Sequence, residues 1–228
     1  MADAYRVFGY FGLFSIFGSL FYGFRYDPAA PWSNYLFDIL LYLAWATPHL
    51  IMTRGWFKQA VYGSVTGSAT ERRIYISITV ITWLAVLWLH RPLPGGALAV
   101  AGPIRFAATV GFIVCVLAFF EGATFAMLDG LLGVPGSAMS FSHGGETPLL
   151  TEGQYANVRH PMYRAALLAG LCSIVIHSHL AQVLWCGMIG ATFIAFIPVE
   201  EAQLVAARGD AYPSYMQRTP WRLLRGVW

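Results

Sequence analysis

Four stretches of this chain are apolar over about the thickness of a bilayer's hydrocarbon core, and they constrain its fold more than any motif does. A membrane-crossing helix needs roughly 20 apolar residues. Tyr5 to Phe24, Asn34 to Thr53 and Arg73 to His90 each supply such a run, and a fourth, Ile104 to Leu128, is long enough to cross at a tilt. The pattern then breaks into glycine, proline and polar residues over Asp129 to His160, a loop near the interface. A last apolar stretch, Met162 to Val199, is interrupted at His177-Ser178-His179. Each half can span only a thinned or tilted path, so this stretch reads as a tight helical hairpin. The first run lacks the small-residue cleavage site of a signal peptide and is expected to be a helix.

The composition agrees. Of 228 residues 57% are apolar and only 11% charged, too little polar surface for a soluble chain, and disordered, collagenous or nucleic-acid-binding readings fall away. Cys115, Cys172 and Cys186 lie in apolar stretches without paired spacing, which predicts packing rather than a disulfide or a thiolate metal site. The fold class expected is therefore all-α: a polytopic membrane bundle of about five to six transmembrane helices with a C-terminal helical hairpin and a cytoplasmic cofactor pocket. It forms a single integral membrane domain over 1–228, with four spans in 1–128 and the loop, hairpin and C-terminal segment in 129–228.

If six segments alternate across the bilayer, one side receives Arg6, Arg54, Lys58, Arg72, Arg73, Arg159, Arg164, Arg208, Arg218, Arg222 and Arg225. The other receives only Arg25, Arg91 and Arg105. By the positive-inside rule the richer side is cytoplasmic, with both termini there, as expected of a bacterial-type inner membrane protein. Trp32, Trp56, Trp83, Trp88, Trp221 and Trp228 fall mostly near the expected helix ends and read as an interfacial aromatic belt.

The chemistry-bearing residues collect around the hairpin. Gly153-Gln154-Tyr155 is followed by Val158-Arg159-His160-Pro161-Met162-Tyr163, and Pro161 suits a first helical turn. The hairpin returns with Pro198-Val199-Glu200-Glu201, which brings His160 and both carboxylates to one side. Pro198 is expected to break or kink the helix before the glutamates and leave a polar niche. Two readings of the residues stay open: an Arg-Glu pair that locks the hairpin shut, or a ring of donors and acceptors for a ligand.

The spacing Gly-x-Tyr-x-x-Val-Arg-His-Pro-x-Tyr, an apolar hairpin, Glu-Glu, then Leu204, Gly209, Tyr212, Tyr215 and Pro220 resembles the isoprenylcysteine carboxyl methyltransferase-like and phospholipid methyltransferase superfamily. Upstream, Pro48 to Lys58, Glu71 to Tyr75 and His90 to Pro94 resemble the subgroup holding methanethiol S-methyltransferases and NnrU-like proteins. The resemblance implies an integral membrane enzyme that uses S-adenosylmethionine, with Tyr155, Arg159, His160, Tyr163, Glu200 and Glu201 around the cofactor. It implies transfer of a methyl group to a small-molecule or lipid acceptor, a thiol such as methanethiol first; a prenylcysteine carboxylate or an aminolipid is the alternative. Further alternatives are an NnrU-like haem protein with His49 as an axial ligand, a nicotinamide-dependent sterol-type reductase, and a scaffold without chemistry.

Such a transfer requires alignment and exclusion of water rather than a metal. A thiol acceptor also requires a base, for which His49 and Glu121 are the candidates. Glu121 could instead pair with Arg54 or Arg72, and His49 could be a solvated interfacial group. His177 and His179 belong to the hairpin turn, and Arg222 to Arg225 read as headgroup contacts. Membrane lipids are the expected surroundings, and no nucleic acid is expected as a partner.

Overall fold

Inside a bilayer a helix satisfies its own backbone groups, so each apolar run folds on itself before it packs on a neighbour. The computed structural model describes residues 2–66, 68–121, 125–132 and 149–228. They form α1 (Ala2–Tyr22), α2 (Ser33–Met52), α3 (Gly55–Tyr62), α4 (Ala69–Leu89), α5 (Gly102–Glu121), α6 (Phe125–Leu132), α7 (Pro161–His177), α8 (Leu180–Arg208) and α9 (Ala211–Arg218). Among the described residues there is no strand, only two isolated bridges, Tyr26 with Leu93 and Ala97 with His179. Five helices, α1, α2, α4, α5 and α8, are long and apolar enough to cross a membrane, and α7 is a shorter apolar helix. The chain is a polytopic membrane helical bundle.

Local chemistry sets the helix ends. Ser68 caps α4 by accepting from the Glu71 N–H at 3.3 Å, and Glu71 then pairs with Lys58 of α3 at 2.8 Å. Pro161 opens α7, where a missing N–H costs nothing. Between α7 and α8 Ser178 adopts the left-handed conformation at φ 55°, and the His179 ring caps α8 by accepting from the Gln182 N–H at 3.1 Å. The hairpin expected from the sequence is present, with its turn at these residues.

Six helices run alternately up and down. At one end Gln203 donates to the Thr53 carbonyl at 3.0 Å, Tyr5 to the Arg73 carbonyl at 3.3 Å and Gln154 to the Ala118 carbonyl at 3.1 Å. At the other, the Phe24 N–H donates to Gln182 at 3.0 Å, Asn34 to the Pro92 carbonyl at 2.8 Å and the Leu98 N–H to the Ser178 carbonyl at 2.7 Å. The first end carries the eleven cations and the second the three, as the alternation of segments requires.

Two expectations need correction. Helix α8 runs unbroken through Pro198 to Arg208, so both glutamates stand on a helix and the missing proline N–H only deprives the Ile194 carbonyl of its donor. Trp83 is only 2% exposed and packs against Trp45 and Trp185 rather than joining a belt. Helix α5 is described as far as Glu121 and α6 from Phe125, and the join within the expected run Ile104 to Leu128 falls on residues outside the described ones. Residues 122–124 and half of the expected loop, 133–148, lie outside the described residues.

Candidate functional site

The Arg-His-Pro segment reaches α7 from a 3-10 turn, Gly153–Ala156, whose Gly153 has φ +59°. Val158, Arg159 and His160 are buried. Their backbone is held by the chain beyond α9: the Arg159 N–H donates to the Trp221 carbonyl at 2.8 Å and the His160 N–H to the Arg222 carbonyl at 3.0 Å. Two stretches sixty residues apart are thus zipped together beside the end of α8.

Glu201 is the hub of that junction. Its Oε1 accepts from Arg159 Nε at 2.7 Å and meets His160 Nε2 at 3.2 Å, while Oε2 accepts from Arg222 Nε at 2.9 Å. Arg159 Nη1 donates to the carbonyls of Thr219 at 2.9 Å and Pro220 at 2.6 Å. Both carboxylate oxygens and two of the guanidinium nitrogens are therefore engaged within the protein. A buried ion pair is tolerated when its remaining donors and acceptors are satisfied in this way. The locking reading of Arg159 and Glu201 describes what these two residues do in the fold.

Glu200, one position on, differs. Its Oε2 is buried and makes no hydrogen bond among the described residues, with His160 Nδ1 3.6 Å away. Tyr163 stacks on the His160 ring at 5.5 Å and 14°, interacts with Glu200 through its hydroxyl, and packs on Phe193 at 5.1 Å. The Tyr155 carbonyl accepts the Tyr215 hydroxyl at 2.8 Å. Burial first, then the negative charge of Glu200, pushes the Tyr155 phenol up from its ordinary value to about 12, so it remains a neutral donor. Burial also raises Tyr215 to about 12 and Tyr212 still further, which keeps both phenols neutral beside Glu201. All six residues the sequence marks for a cofactor come together, and Glu200 is the one with an unmet acceptor.

The two expected bases stand apart from this cluster. His49 is half-buried rather than solvated: Nδ1 meets Thr79 Oγ1 at 2.9 Å, Nε2 meets the Tyr75 hydroxyl at 2.8 Å, and the ring stacks on Trp45 at 5.2 Å. An axial haem ligand needs one of those nitrogens free. Glu121 is exposed at the end of α5 and accepts from Gln154 Nε2 at 3.2 Å, in place of the pairing with Arg54 or Arg72 weighed from sequence.

Arg222, read from sequence as a headgroup contact, is instead a Glu201 partner, and the Thr219 and Pro220 carbonyls join it. Nothing in the spacing from Glu201 marks Arg222. The only sequence signal is that a basic, proline-bounded tail follows directly on the last helix. Comparison of the chain with protein-family models, curated proteins and solved structures finds no match.

Proposed function

We propose that this chain is an integral membrane methyltransferase that uses S-adenosylmethionine and methylates a small or lipophilic acceptor, a thiol such as methanethiol first. The observation that carries the reading is the buried Oε2 of Glu200, which makes no hydrogen bond among the described residues and has only His160 Nδ1 at 3.6 Å, near Tyr155 and Tyr163 and beside the Arg159–His160–Glu201 junction. A carboxylate oxygen in that state calls for a cationic or N–H donor, and an α-amino group supplies one. The residues fit the cofactor in this respect.

When bound, the cofactor supplies an electrophilic sulfonium methyl. Glu200 accepts its ammonium group, and the Tyr155 and Tyr163 phenols offer donors and ring faces to the rest. Arg159 and Glu201 act at one remove, as positioning residues that fix His160 and the turn before α7. An aligned, water-poor site of this kind lowers the barrier chiefly through proximity and exclusion of solvent. For a thiol acceptor the proton must leave first. With Nδ1–H assigned to the Thr79 bond, His49 Nε2 presents its lone pair to the Tyr75 hydroxyl, an acid–base pair apart from the cofactor cluster.

Calorimetry with S-adenosylhomocysteine on detergent-purified protein tests the cofactor. Wild type is expected to bind, and Glu200→Gln to bind at least about tenfold more weakly, since a charged hydrogen bond is worth about 1.5–3 kcal/mol. No binding by wild type rejects the methyltransferase reading. Headspace detection of labelled thioether from membranes given methanethiol tests the acceptor, with a rate that rises between pH about 6 and 8.5 as thiolate forms. Turnover of a prenylcysteine or aminolipid instead would reject only the thiol.

A further inference from the structure

An apolar cavity of about 510 Å³ opens along α7 between α1 and α8, within the size range of small-molecule sites, about 300–1,000 Å³. Phe17 and Leu20 line it from α1, Leu167 and Leu171 from α7, Gly190 and Ile194 from α8. Leu171 is 59% and Ile194 44% exposed, so the cavity faces the surroundings of the bundle, which for these helices is the hydrocarbon of the bilayer.

One lining residue is charged. Arg164 sits in the first turn of α7, at the end of the bundle that holds the eleven cations. Its guanidinium makes no hydrogen bond or ion pair among the described residues. A guanidinium on the residue that lines an otherwise apolar cavity from the first turn of α7 suits an oxyanion, and a phosphate above all in two-pronged geometry. From Arg164 to Ile174 the wall of α7 runs about 15 Å inward at 1.5 Å per residue, the direction an acyl chain takes from its headgroup.

We propose that this cavity holds one anionic phospholipid, with its phosphate on Arg164 and an acyl chain along α7 towards Ile174. The C-terminal residues Leu223 and Trp228 also line the cavity, so the lipid packs against the same tail that Arg222 ties to Glu201. Net negative charge matters because the choline of a zwitterionic lipid offsets its own phosphate beside a cation. The site neither uses nor requires the methyl-transfer reading.

Native mass spectrometry of the purified protein with equimolar phosphatidylglycerol and phosphatidylcholine tests it. Wild type is expected to retain one phosphatidylglycerol in preference. Arg164→Gln should lower that preference about tenfold, the scale of one charge-assisted contact, and Arg164→Lys should keep part of it. Ile194→Trp, which fills the cavity, should lower retention of both lipids. Equal retention of the two by wild type, an undiminished preference in Arg164→Gln, or undiminished retention in Ile194→Trp overturns the proposal. The Arg164 guanidinium makes no hydrogen bond or ion pair among the described residues and Ile194 is 44% exposed, and a monodisperse elution profile with unchanged helicity verifies each variant. The readout contains no methyl donor, so failure here and failure of the methyltransferase reading are separate results.

Discussion

Both oxygens of Glu201 accept hydrogen bonds from buried or half-buried cationic side chains, so Glu201→Gln leaves Arg159 and Arg222 facing a neutral amide. Removing one partner of a buried pair costs about 3–5 kcal/mol. Glu200→Gln changes a carboxylate whose Oε2 makes no hydrogen bond among the described residues and has only His160 Nδ1 at 3.6 Å, and should shift stability by about 1 kcal/mol or less. Thermal unfolding in one detergent checks the contrast, and equal losses in the two variants would show that Glu201 is not the hub of the tail. The sequence alone suggests that truncating His160 or Glu201 costs little, because both stand at an expected interface. The structure moves the clean test of ligand binding to Glu200. That the Arg-His-Pro and Glu-Glu residues meet is legible from the hairpin between them. Which glutamate is already satisfied is not, since the deciding partners, Arg222 and the Thr219 and Pro220 carbonyls, come from a tail whose path no local pattern encodes.

Helix ends and crossings depend on small or unusual backbones. Gly23 follows α1 at φ +82°, and a Cβ there would come 2.7 Å from the His177 ring, whose Nε2 lies 2.8 Å from the Phe21 carbonyl. Gly23→Ala therefore meets a disfavoured backbone and a blocked space together, and should cost about 1–3 kcal/mol, read as a lower unfolding temperature. Gly12, inside α1, permits the close crossing with α4, because a Cβ there would run into Val80. The same end of the bundle holds a pH response. Burial, and after it the Arg25 charge, lowers the His90 imidazole to about 4, below its ordinary 6.5. A depressed histidine favours the folded state above the unfolded value and loses that contribution as pH falls through the folded one. The loop after α4 should therefore loosen between pH about 6.5 and 4, seen as faster amide exchange around residues 90–98, and His90→Gln should flatten that dependence. The long helices were legible because an apolar run of bilayer length has few alternatives. The short α3 and α6 were not, and Pro198 misleads because the loss of one hydrogen bond at Ile194 is tolerated within a 29-residue helix.

At the scale of the whole molecule, the distribution of charge decides how the bundle stands in the membrane. Eleven arginine and lysine residues gather at the end that also holds the Glu200–Glu201 junction, α9 and the chain's last residues, against three at the end with the hairpin turn. The positive-inside bias acts on cations in the connections near the helix ends. The same end carries Arg164 and Glu200, so the proposed lipid headgroup and the proposed cofactor would both approach from one side. Orientation is thus the premise on which a soluble donor can reach the site at all. The prediction is that the arginine-rich end faces the cytoplasm. In a background with Cys115, Cys172 and Cys186 replaced, Ala99→Cys and Gln217→Cys, both at exposed positions at opposite ends, report it through a membrane-impermeant maleimide applied to intact cells. Ala99→Cys should label from outside, and Gln217→Cys only after the membrane is permeabilised. The reverse pattern would put the junction on the outer face, out of reach of a cytoplasmic methyl donor, and the methyl-transfer reading would fail even if every distance around Glu201 were correct.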